Sequence, residues 1–289
     1  MTRECSRSIS ANAASGLAGY DEHRGRGDIR GIAARTGRGC GVLAGTVVSR
    51  GLDRREFGKL RDVHQKLMSR SGEISGSVLN IKETRDNFVW GPAFRTLCGS
   101  KFLTTLLGEY ELGIDISAFF QVNVPQAERI FSRVRDITLG FGSSETLELY
   151  SGVGSLSAYL AGVAERVDAV EEWRPAARLM KENMDRNGAG NVRVFERSAE
   201  GFLSGEDGCG PYDTVVLDPP RTGASEAVLK GVARIAPKNI VYISCDPATL
   251  ARDAARLADG YEISLLEAYD MFPQTSHVES LCVLTKIRP

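Results

Sequence analysis

The sequence predicts an α/β fold in which a parallel β-sheet covered by helices follows a small α+β domain. From about residue 120 onward, short apolar strands alternate with amphipathic helices, which is typical of a parallel sheet covered on both faces. Before that point the apolar segments are short and mixed in type, as expected for a small α+β domain. The chain of 289 residues, 42% hydrophobic and 25% charged, is long and apolar enough for both.

Three segments are expected along the chain. Residues 1–27 are rich in Arg, Ser and Gly and are predicted to form a poorly ordered arm. Residues 28–118 are predicted to form the α+β domain and 119–289 the α/β domain. No apolar run is long enough to span a membrane. The six cysteines include no CxxC pair, which predicts neither a metal site nor an iron–sulfur cluster, and favours a reducing, cytoplasmic location.

Hydrophobic periodicity predicts the individual elements. In the N-terminal domain it gives a helix at 54–69 and strands at 42–49, 77–81 and 110–114. In the α/β domain the predicted helices are 125–138, 155–162, 174–187, 199–203, 224–235 and 247–257. The predicted strands are 146–150, 166–170, 192–196, 213–217, 239–244, 262–269 and 278–286. No helix separates the last two strands, so we expect an antiparallel hairpin at one edge of the sheet.

The charge is unevenly distributed. Residues 1–70 contain 14 Lys and Arg against 7 Asp and Glu, whereas the rest of the chain contains 22 against 30. A basic N-terminal part on an acidic body suits an anionic polymer, with Arg30 and Arg35 among the expected contacts. A solvated arm without a partner is the alternative.

A turn rich in glycine follows the strand predicted at 146–150. In Tyr150-Ser-Gly-Val-Gly-Ser155, two glycines permit a tight turn and a close approach of the backbone to a ligand. The dinucleotide fingerprint would have a third glycine at the position of Ser157. Its absence favours a ligand without a pyrophosphate.

Two carboxylates follow neighbouring strands. Glu171 ends the next predicted strand, where a carboxylate can accept hydrogen bonds from ribose hydroxyls. Asp218 opens the stiff segment Asp218-Pro-Pro-Arg221. Ligands of open α/β sheets bind at the carboxyl ends of the strands. The turn and the two carboxylates therefore predict an adenosyl ligand such as S-adenosylmethionine.

Cys245 follows the strand predicted at 239–244. Asp246 is a good N-cap and Pro247 a good first helical residue, so a helix should begin directly after the cysteine. The helix dipole is then expected to favour the thiolate. A small buried residue without chemistry is the alternative.

Methylation of uracil at C5 would use such a thiolate. Addition of sulfur to C6 makes C5 nucleophilic, and a base must afterwards remove the C5 proton. Glu279, in the segment Phe272-Pro-Gln-Thr-Ser-His277-Val-Glu279, is the predicted base. An exposed edge-strand glutamate is the alternative, and His277 would then only cap the turn.

These segments resemble the tRNA and rRNA (uracil-5-)-methyltransferase family, whose order and spacing they follow from about residue 119 to the C-terminus. The matching segments are Phe119-Phe-Gln121-Val-Asn123, Leu149-Tyr-Ser-Gly-Val-Gly154, Val216-Leu-Asp218-Pro-Pro-Arg-Thr-Gly223, Tyr242-Ile-Ser-Cys245-Asp-Pro-Ala-Thr-Leu250 and Asp270-Met-Phe-Pro-Gln-Thr-Ser-His277-Val-Glu279. The resemblance implies a Rossmann-like class I methyltransferase sheet. It also implies a monomer that forms 5-methyluridine in rRNA or tRNA.

The resemblance also implies roles for individual residues. Cys245 would be the nucleophile and Glu279 the base. S-adenosylmethionine would be bound by Gln121, Tyr150, Ser155, Glu171 and Asp218. Ser198 stands where the family has an aspartate that contacts adenine. The N-terminal RNA-binding barrel and the four-cysteine iron–sulfur motif of many members are not found here, and basic residues in 24–61 are expected to replace part of the RNA surface.

Two other classes of function remain open. A methyltransferase of exocyclic amino groups would have an aromatic residue at the position of Arg221 and no use for Cys245. A cytosine C5 methyltransferase needs a thiol, but from a Pro-Cys loop elsewhere. The alternative that is not an enzyme is an RNA- or cofactor-binding relic.

Overall fold

The computed structural model describes residues 15–39, 41–86 and 89–287. These residues form two compact units. The first comprises the described residues up to Leu106 together with Gly113–Ala118, and the second comprises Leu107–Leu112 and the described residues from Phe119 onward.

The first unit is built on a four-stranded sheet, which agrees with the α+β class that the sequence predicts. Its strands are β1 (Ile29–Thr36), β2 (Val42–Val48), β3 (Ile74–Ile81) and β4 (Ala93–Gly99), which lie side by side in that order. Strands β2 and β3 are parallel, and the two outer pairs are antiparallel. Helix α1 (Arg54–Ser71) makes the connection that the parallel pair needs.

Helix α1 begins and ends at recognisable caps and buries one face. The Asp53 carboxylate accepts from the Glu56 N–H, and the Glu56 side chain accepts from the Asp53 N–H, which is a capping box. Gly72 ends the helix in the left-handed conformation. Leu60 is fully buried in the apolar cluster against the sheet, and His64 is fully buried between the hydroxyls of neighbouring strands.

Three strands of the N-terminal part were not predicted: β1, β4 and β5 (Phe102–Leu107), the last of which pairs with β6 (Tyr110–Asp115) in a two-stranded sheet. β1 and β4 are the edges of their sheet and leave many side chains partly exposed, so their sequences lack a clear apolar alternation.

Of the predicted arm 1–27, residues 1–14 lie outside the described residues. Residues 15–27 form turns and two isolated bridges, one of them to Ile29.

The second unit contains the predicted α/β sheet. Its seven strands lie in the order β12-β13-β11-β10-β7-β8-β9. They are β7 (Glu145–Leu149), β8 (Arg166–Glu171), β9 (Val192–Glu196), β10 (Thr214–Leu217), β11 (Asn239–Ser244), β12 (Tyr261–Tyr269) and β13 (Glu279–Lys286). Strands β7 to β11 are parallel, and β13 is antiparallel to both β11 and β12. The predicted edge hairpin is therefore confirmed.

Helices cover both faces of this sheet. They are α2 (Val124–Gly140), α3 (Ser155–Ala161), α4 (Arg174–Arg186), α5 (Ala199–Ser204), α6 (Glu226–Ile235) and α7 (Pro247–Leu257), with a short 3-10 helix at Asp207–Cys209. In β10, Val215 packs into one apolar cluster with α5, α6 and α7, and Val216 packs into another with α2 and α3. None of the helices in the described ranges is long and apolar enough to cross a membrane.

Two helical glycines make a matched test of packing. A Cβ on Gly58 of α1 would meet no atom within 4 Å, whereas a Cβ on Gly231 of α6 would lie 2.9 Å from the Leu203 Cβ. We expect Gly58→Ala to raise the free energy of unfolding by about 0.5–1 kcal/mol, because alanine restricts the unfolded chain. We expect Gly231→Ala to lower it by about 1–3 kcal/mol through overpacking. Urea denaturation followed by circular dichroism measures both, and stabilisation by both variants would contradict this account of the packing.

Candidate active site

The predicted site residues gather at one edge of the seven-stranded sheet. From β7 the chain continues to β8 and β9 on one side, and β10 and β11 lie on the other side. Such a reversal of strand order opens a crevice at the carboxyl ends of the strands. The glycine turn, Glu171, Asp218 and Cys245 all follow the carboxyl ends of these strands.

The glycine turn after β7 is tied to Glu171. The Glu171 carboxylate accepts from the Gly152 N–H at 2.8 Å and from the Trp173 N–H at 2.7 Å. Burial raises the pKa of Glu171, although both hydrogen bonds oppose the shift. Tyr150 has a φ of 68°, a conformation that is costly for a residue other than glycine and that marks a constrained turn.

Glu148 was missed in the sequence because it lies inside a strand that was interpreted as apolar. It is 3% exposed, and burial raises its pKa to about 8, assisted by the nearby carboxylates of Asp218 and Glu171. The fully buried hydroxyl of Ser157 donates to it. The serine at the third glycine position thus supports a buried carboxyl group. A charged residue between two leucines, as in β7, was the signal available in the sequence.

Asp218 begins the Pro-Pro segment after β10 and is half-buried. Among the described residues, no hydrogen bond to its side chain is found. Burial raises the pKa of Asp218 to about 7. A half-buried carboxyl group without such a bond is suited to a ligand that supplies one.

The pairing of β13 with β11 brings Glu279 to Cys245. Ser244, the last residue of β11, pairs with Ser280 near the start of β13. Glu279 and Cys245 therefore lie at the same edge of the sheet. Glu279 is only 5% exposed, contrary to the alternative of an exposed edge residue. Burial, and then the charge of Asp218, raise the pKa of Glu279 to about 8.

The prediction for the thiol of Cys245 was partly wrong. Asp246 does cap α7, accepting from the Ala248 N–H at 2.8 Å, so the helix begins where expected. The pKa of Cys245 is nevertheless raised, first by burial and then by the Glu279 carboxylate. Desolvation and the neighbouring negative charge favour the neutral thiol. The guanidinium of Arg221 opposes both and lowers the pKa of Cys245.

Arg221 is a second residue whose place in the site was not predicted. Its Nη2 lies within hydrogen-bond distance of His277, 3.1 Å from Nε2. The imidazole also packs edge-on against Phe272, with the ring centroids 6.1 Å apart. Arg221 therefore links the thiol to the segment that precedes β13.

Helix α7 holds the loop that carries Arg221. The Asp253 carboxylate, fully buried, accepts from the Ala224 N–H at 2.9 Å and from the Tyr242 hydroxyl at 2.7 Å. Arg252 donates to the Thr222 carbonyl at 2.8 Å. Gly223 has a φ of 76°, and a Cβ there would lie 2.5 Å from the Asp253 carboxylate. The helix that follows Cys245 thus fixes the loop that follows Asp218.

The remaining predicted residues have fewer contacts. Gln121 lies between β6 and α2, and Asn123 anchors its segment by donating to the Met271 carbonyl at 3.0 Å. Ser155 is the first residue of α3. Within the described ranges the side chains of Gln121 and Ser155 form no hydrogen bond. Ser198 caps α5 by accepting from the Gly201 N–H at 3.1 Å, so its hydroxyl is already engaged.

The electrostatics of the thiol can be tested by alkylation. We expect the reaction of Cys245 with iodoacetamide, followed at peptide level by mass spectrometry, to reach half its maximal rate above pH 9, the unperturbed value of a thiol. Glu279→Gln removes a negative charge and should shift the profile to lower pH. Arg221→Met removes a positive charge and should shift it to higher pH. The exposed Glu262, as Glu262→Gln, is the control and should leave the profile unchanged. A profile unaffected by both Glu279→Gln and Arg221→Met would contradict the proposed proximity of these groups.

Comparison with known proteins identifies the family. The profile of the tRNA (Uracil-5-)-methyltransferase family matches residues 110–287. An uncharacterized RNA methyltransferase of Halalkalibacterium halodurans is 33% identical over 93% of this chain, and one of Gloeobacter violaceus is 34% identical over 92%. The chain spans 58% and 57% of the lengths of these relatives.

Solved structures that resemble this chain are also RNA methyltransferases. The tRNA (uracil-54, C5)-methyltransferase of Pyrococcus abyssi, in complex with S-adenosyl-L-homocysteine, has a TM-score of 0.77 and 26% identity, covering 98% of this chain and 67% of that one. The tRNA m1G37 methyltransferase of M. jannaschii shares the fold, with a TM-score of 0.54, 14% identity and coverage of 89% and 75%. The second unit thus has the Rossmann-like methyltransferase fold. The chain belongs to the tRNA (uracil-5-)-methyltransferase family.

Proposed function

We propose that this protein methylates C5 of a uridine in rRNA or tRNA, with S-adenosylmethionine as the methyl donor and Cys245 as a covalent nucleophile. The observation that carries the proposal is the meeting of Cys245 and the buried Glu279 at the crevice where Asp218 and Glu171 also lie. A thiol and a base at one site are what addition to C6 and removal of the C5 proton require.

The crevice fits a cationic adenosyl ligand. The carboxyl groups of Glu148, Glu171, Asp218 and Glu279 all have raised pKa values, caused first by burial. A nearby cation would favour their charged forms. S-adenosylmethionine carries a sulfonium and an ammonium group, and its sulfonium supplies the methyl group. We propose that Gln121, Tyr150, Ser155, Glu171 and Asp218 hold it, with Asp218 contributing the carboxyl group that has no other hydrogen bond among the described residues.

Cys245 would act first. Its thiol, which is only partly buried, loses its proton to solvent, a step that Arg221 assists by favouring the thiolate. The sulfur then adds to C6 of the uracil, forming an S–C6 bond while the electrons of the C5=C6 double bond move onto the C4 carbonyl as an enolate. C5 would then be nucleophilic and would attack the methyl carbon of the sulfonium. The S–CH3 bond would break with its electron pair remaining on sulfur, so that the donor leaves as the neutral thioether S-adenosylhomocysteine and the C4 carbonyl is restored.

Glu279 would act second. Its carboxylate removes the C5 proton, the electrons of the C5–H bond restore the C5=C6 double bond, and the S–C6 bond breaks to release the thiolate. The pKa of about 8 suits this task, because a general base works best when its pKa lies near the pH at which the enzyme acts. His277, held by Arg221 and Phe272, is the alternative base.

The substrate is assigned by analogy with the related proteins and from the excess of positive charge in residues 1–70. The relatives are named RNA methyltransferases, and the P. abyssi enzyme acts on uracil in tRNA by its name. Methylation of an exocyclic amino group is disfavoured, because Arg221 stands where that class has an aromatic residue and is engaged with His277.

Two substitutions separate the chemistry from ligand binding. We expect Cys245→Ala to abolish both methylation and the covalent adduct that the wild type forms with 5-fluorouridine RNA, and to leave the affinity for S-adenosylmethionine within about twofold. We expect Asp218→Ala to cost about 0.5–3 kcal/mol of binding, or roughly 2- to 150-fold in Kd, measured by calorimetry. Methylation by Cys245→Ala would refute the covalent mechanism, and unchanged affinity of Asp218→Ala would move the donor site elsewhere.

A further inference from the structure

Helix α1 presents a row of cations to solvent. With 3.6 residues per turn, Arg55, Lys59, Lys66 and Arg70 fall within about 60° of one another around the helix axis. All four are exposed, and they extend over about 22 Å at 1.5 Å per residue. We call these four residues the basic stripe.

The rest of the unit fixes the direction of the basic stripe. Leu60 and His64 lie on the opposite side of α1, both fully buried against the sheet. The stripe therefore points away from the sheet. Within the described part of the chain, its four side chains form no hydrogen bond and no ion pair.

The charge pattern of the basic stripe is unusual for a merely solvated helix face. Exposed faces normally gain from opposite charges four residues apart. Here Asp62–Lys66 is one such pair, whereas Arg55–Lys59 and Lys66–Arg70 are like-charged pairs at that spacing, which destabilise a helix. The one acid in the row, Asp62, lies 3.8 Å from Arg61. Glu56, the other acid of α1, is held by the capping box and by Arg50.

We propose that the basic stripe binds the phosphate backbone of the RNA substrate. This inference rests on the proposed function and adds a surface that contributes to RNA affinity. Flexible cations in a row, without a pocket, suit phosphates rather than base edges, so the stripe would contribute affinity and orientation but not sequence specificity. An anionic membrane fits less well, because the apolar face of α1 is already used against the sheet.

Two cations expected from the sequence to contact the polymer are less suited to that role. Arg30 donates to the Lys82 carbonyl at 3.2 Å and packs over the Tyr20 ring, and only 10% of its side chain is exposed. Burial lowers the pKa of Arg35. Both are used mainly within the unit, whereas the side chains of the basic stripe form no hydrogen bond or ion pair with the described residues.

The test is the salt dependence of RNA binding by the full chain. The probe is a fluorescein-labelled, unstructured 20-nucleotide RNA followed by anisotropy at about 50–200 mM KCl. Replacing all four stripe residues by Gln, which keeps the helix propensity, should make the log–log slope shallower by about 3 units, because each phosphate contact on a single strand contributes about 0.7. Thermal melting checks that the variant stays folded.

A control on the same helix makes the test specific. Arg54 and Arg61 lie more than 90° from the centre of the basic stripe around the axis. Arg55→Gln/Lys59→Gln should flatten the slope by about 1.4 units, whereas Arg54→Gln/Arg61→Gln should leave it unchanged. If the two double variants changed the slope equally, only the net charge of the helix would matter and not the position of the cations. That result would overturn the proposal.

The outcome is separable from that of the proposed function. S-adenosylmethionine affinity and methyl transfer are measured on the same variants. Methylation by the wild type with slopes that no stripe substitution changes would refute the stripe alone. If the stripe variants flattened the slope but the wild type did not methylate RNA, the proposed function would be refuted and the RNA-binding role of the stripe would stand. Loss of binding to phosphatidylserine vesicles at unchanged RNA affinity would assign the stripe to a membrane surface and overturn the proposal.

Discussion

Because β13 runs antiparallel to β11 in an otherwise parallel region of the sheet, its first residue lies at the edge where β11 ends. Every parallel strand delivers its last residues to this edge, but only an antiparallel strand can deliver a residue from its start. The Ser244–Ser280 pairing therefore joins two distant parts of the sequence, Cys245 and Glu279. A slip of one residue would turn Glu279 to the other face of the sheet. The proposed chemistry depends on this register.

Burial sets the chemical state of the site. Four carboxyl groups and one thiol in the crevice all have raised pKa values, and burial is the largest cause for each. Such groups favour their neutral forms until a cation arrives. A cationic methyl donor would then stabilise the carboxylates, including the one that has to act as the base. Arg221 makes the corresponding contribution at the thiol.

The sequence predicted the second unit well, because buried parallel strands and amphipathic helices leave strong periodic signals. It predicted the first unit less well, since β1 and β4 are partly exposed edges without such signals. Local patterns identified Asp246 as a cap but could not show the burial of Cys245 or the charge of Glu279 beside it, so the predicted direction of the pKa shift of the thiol was wrong. Glu148 escaped notice because its strand was interpreted as apolar throughout. Asp253 escaped notice because its partner Ala224 lies 29 residues away in sequence. Glu279 was predicted as the base from the chemistry that Cys245 would need and from the family resemblance, but no local pattern in the sequence shows that the two residues are close.

The most direct test of the account is the fate of the RNA in the Glu279→Gln variant. Glutamine is nearly isosteric with glutamate, so Cys245 should still add to C6 and the methyl group should still transfer. The amide cannot accept the C5 proton, so the thiolate cannot be released and methylated RNA should remain bound to the protein. On a denaturing gel we expect a slow-migrating band that carries label from the methyl donor and is absent from Cys245→Ala/Glu279→Gln. Free methylated RNA released at the wild-type rate would contradict the account and leave His277 or water as the base.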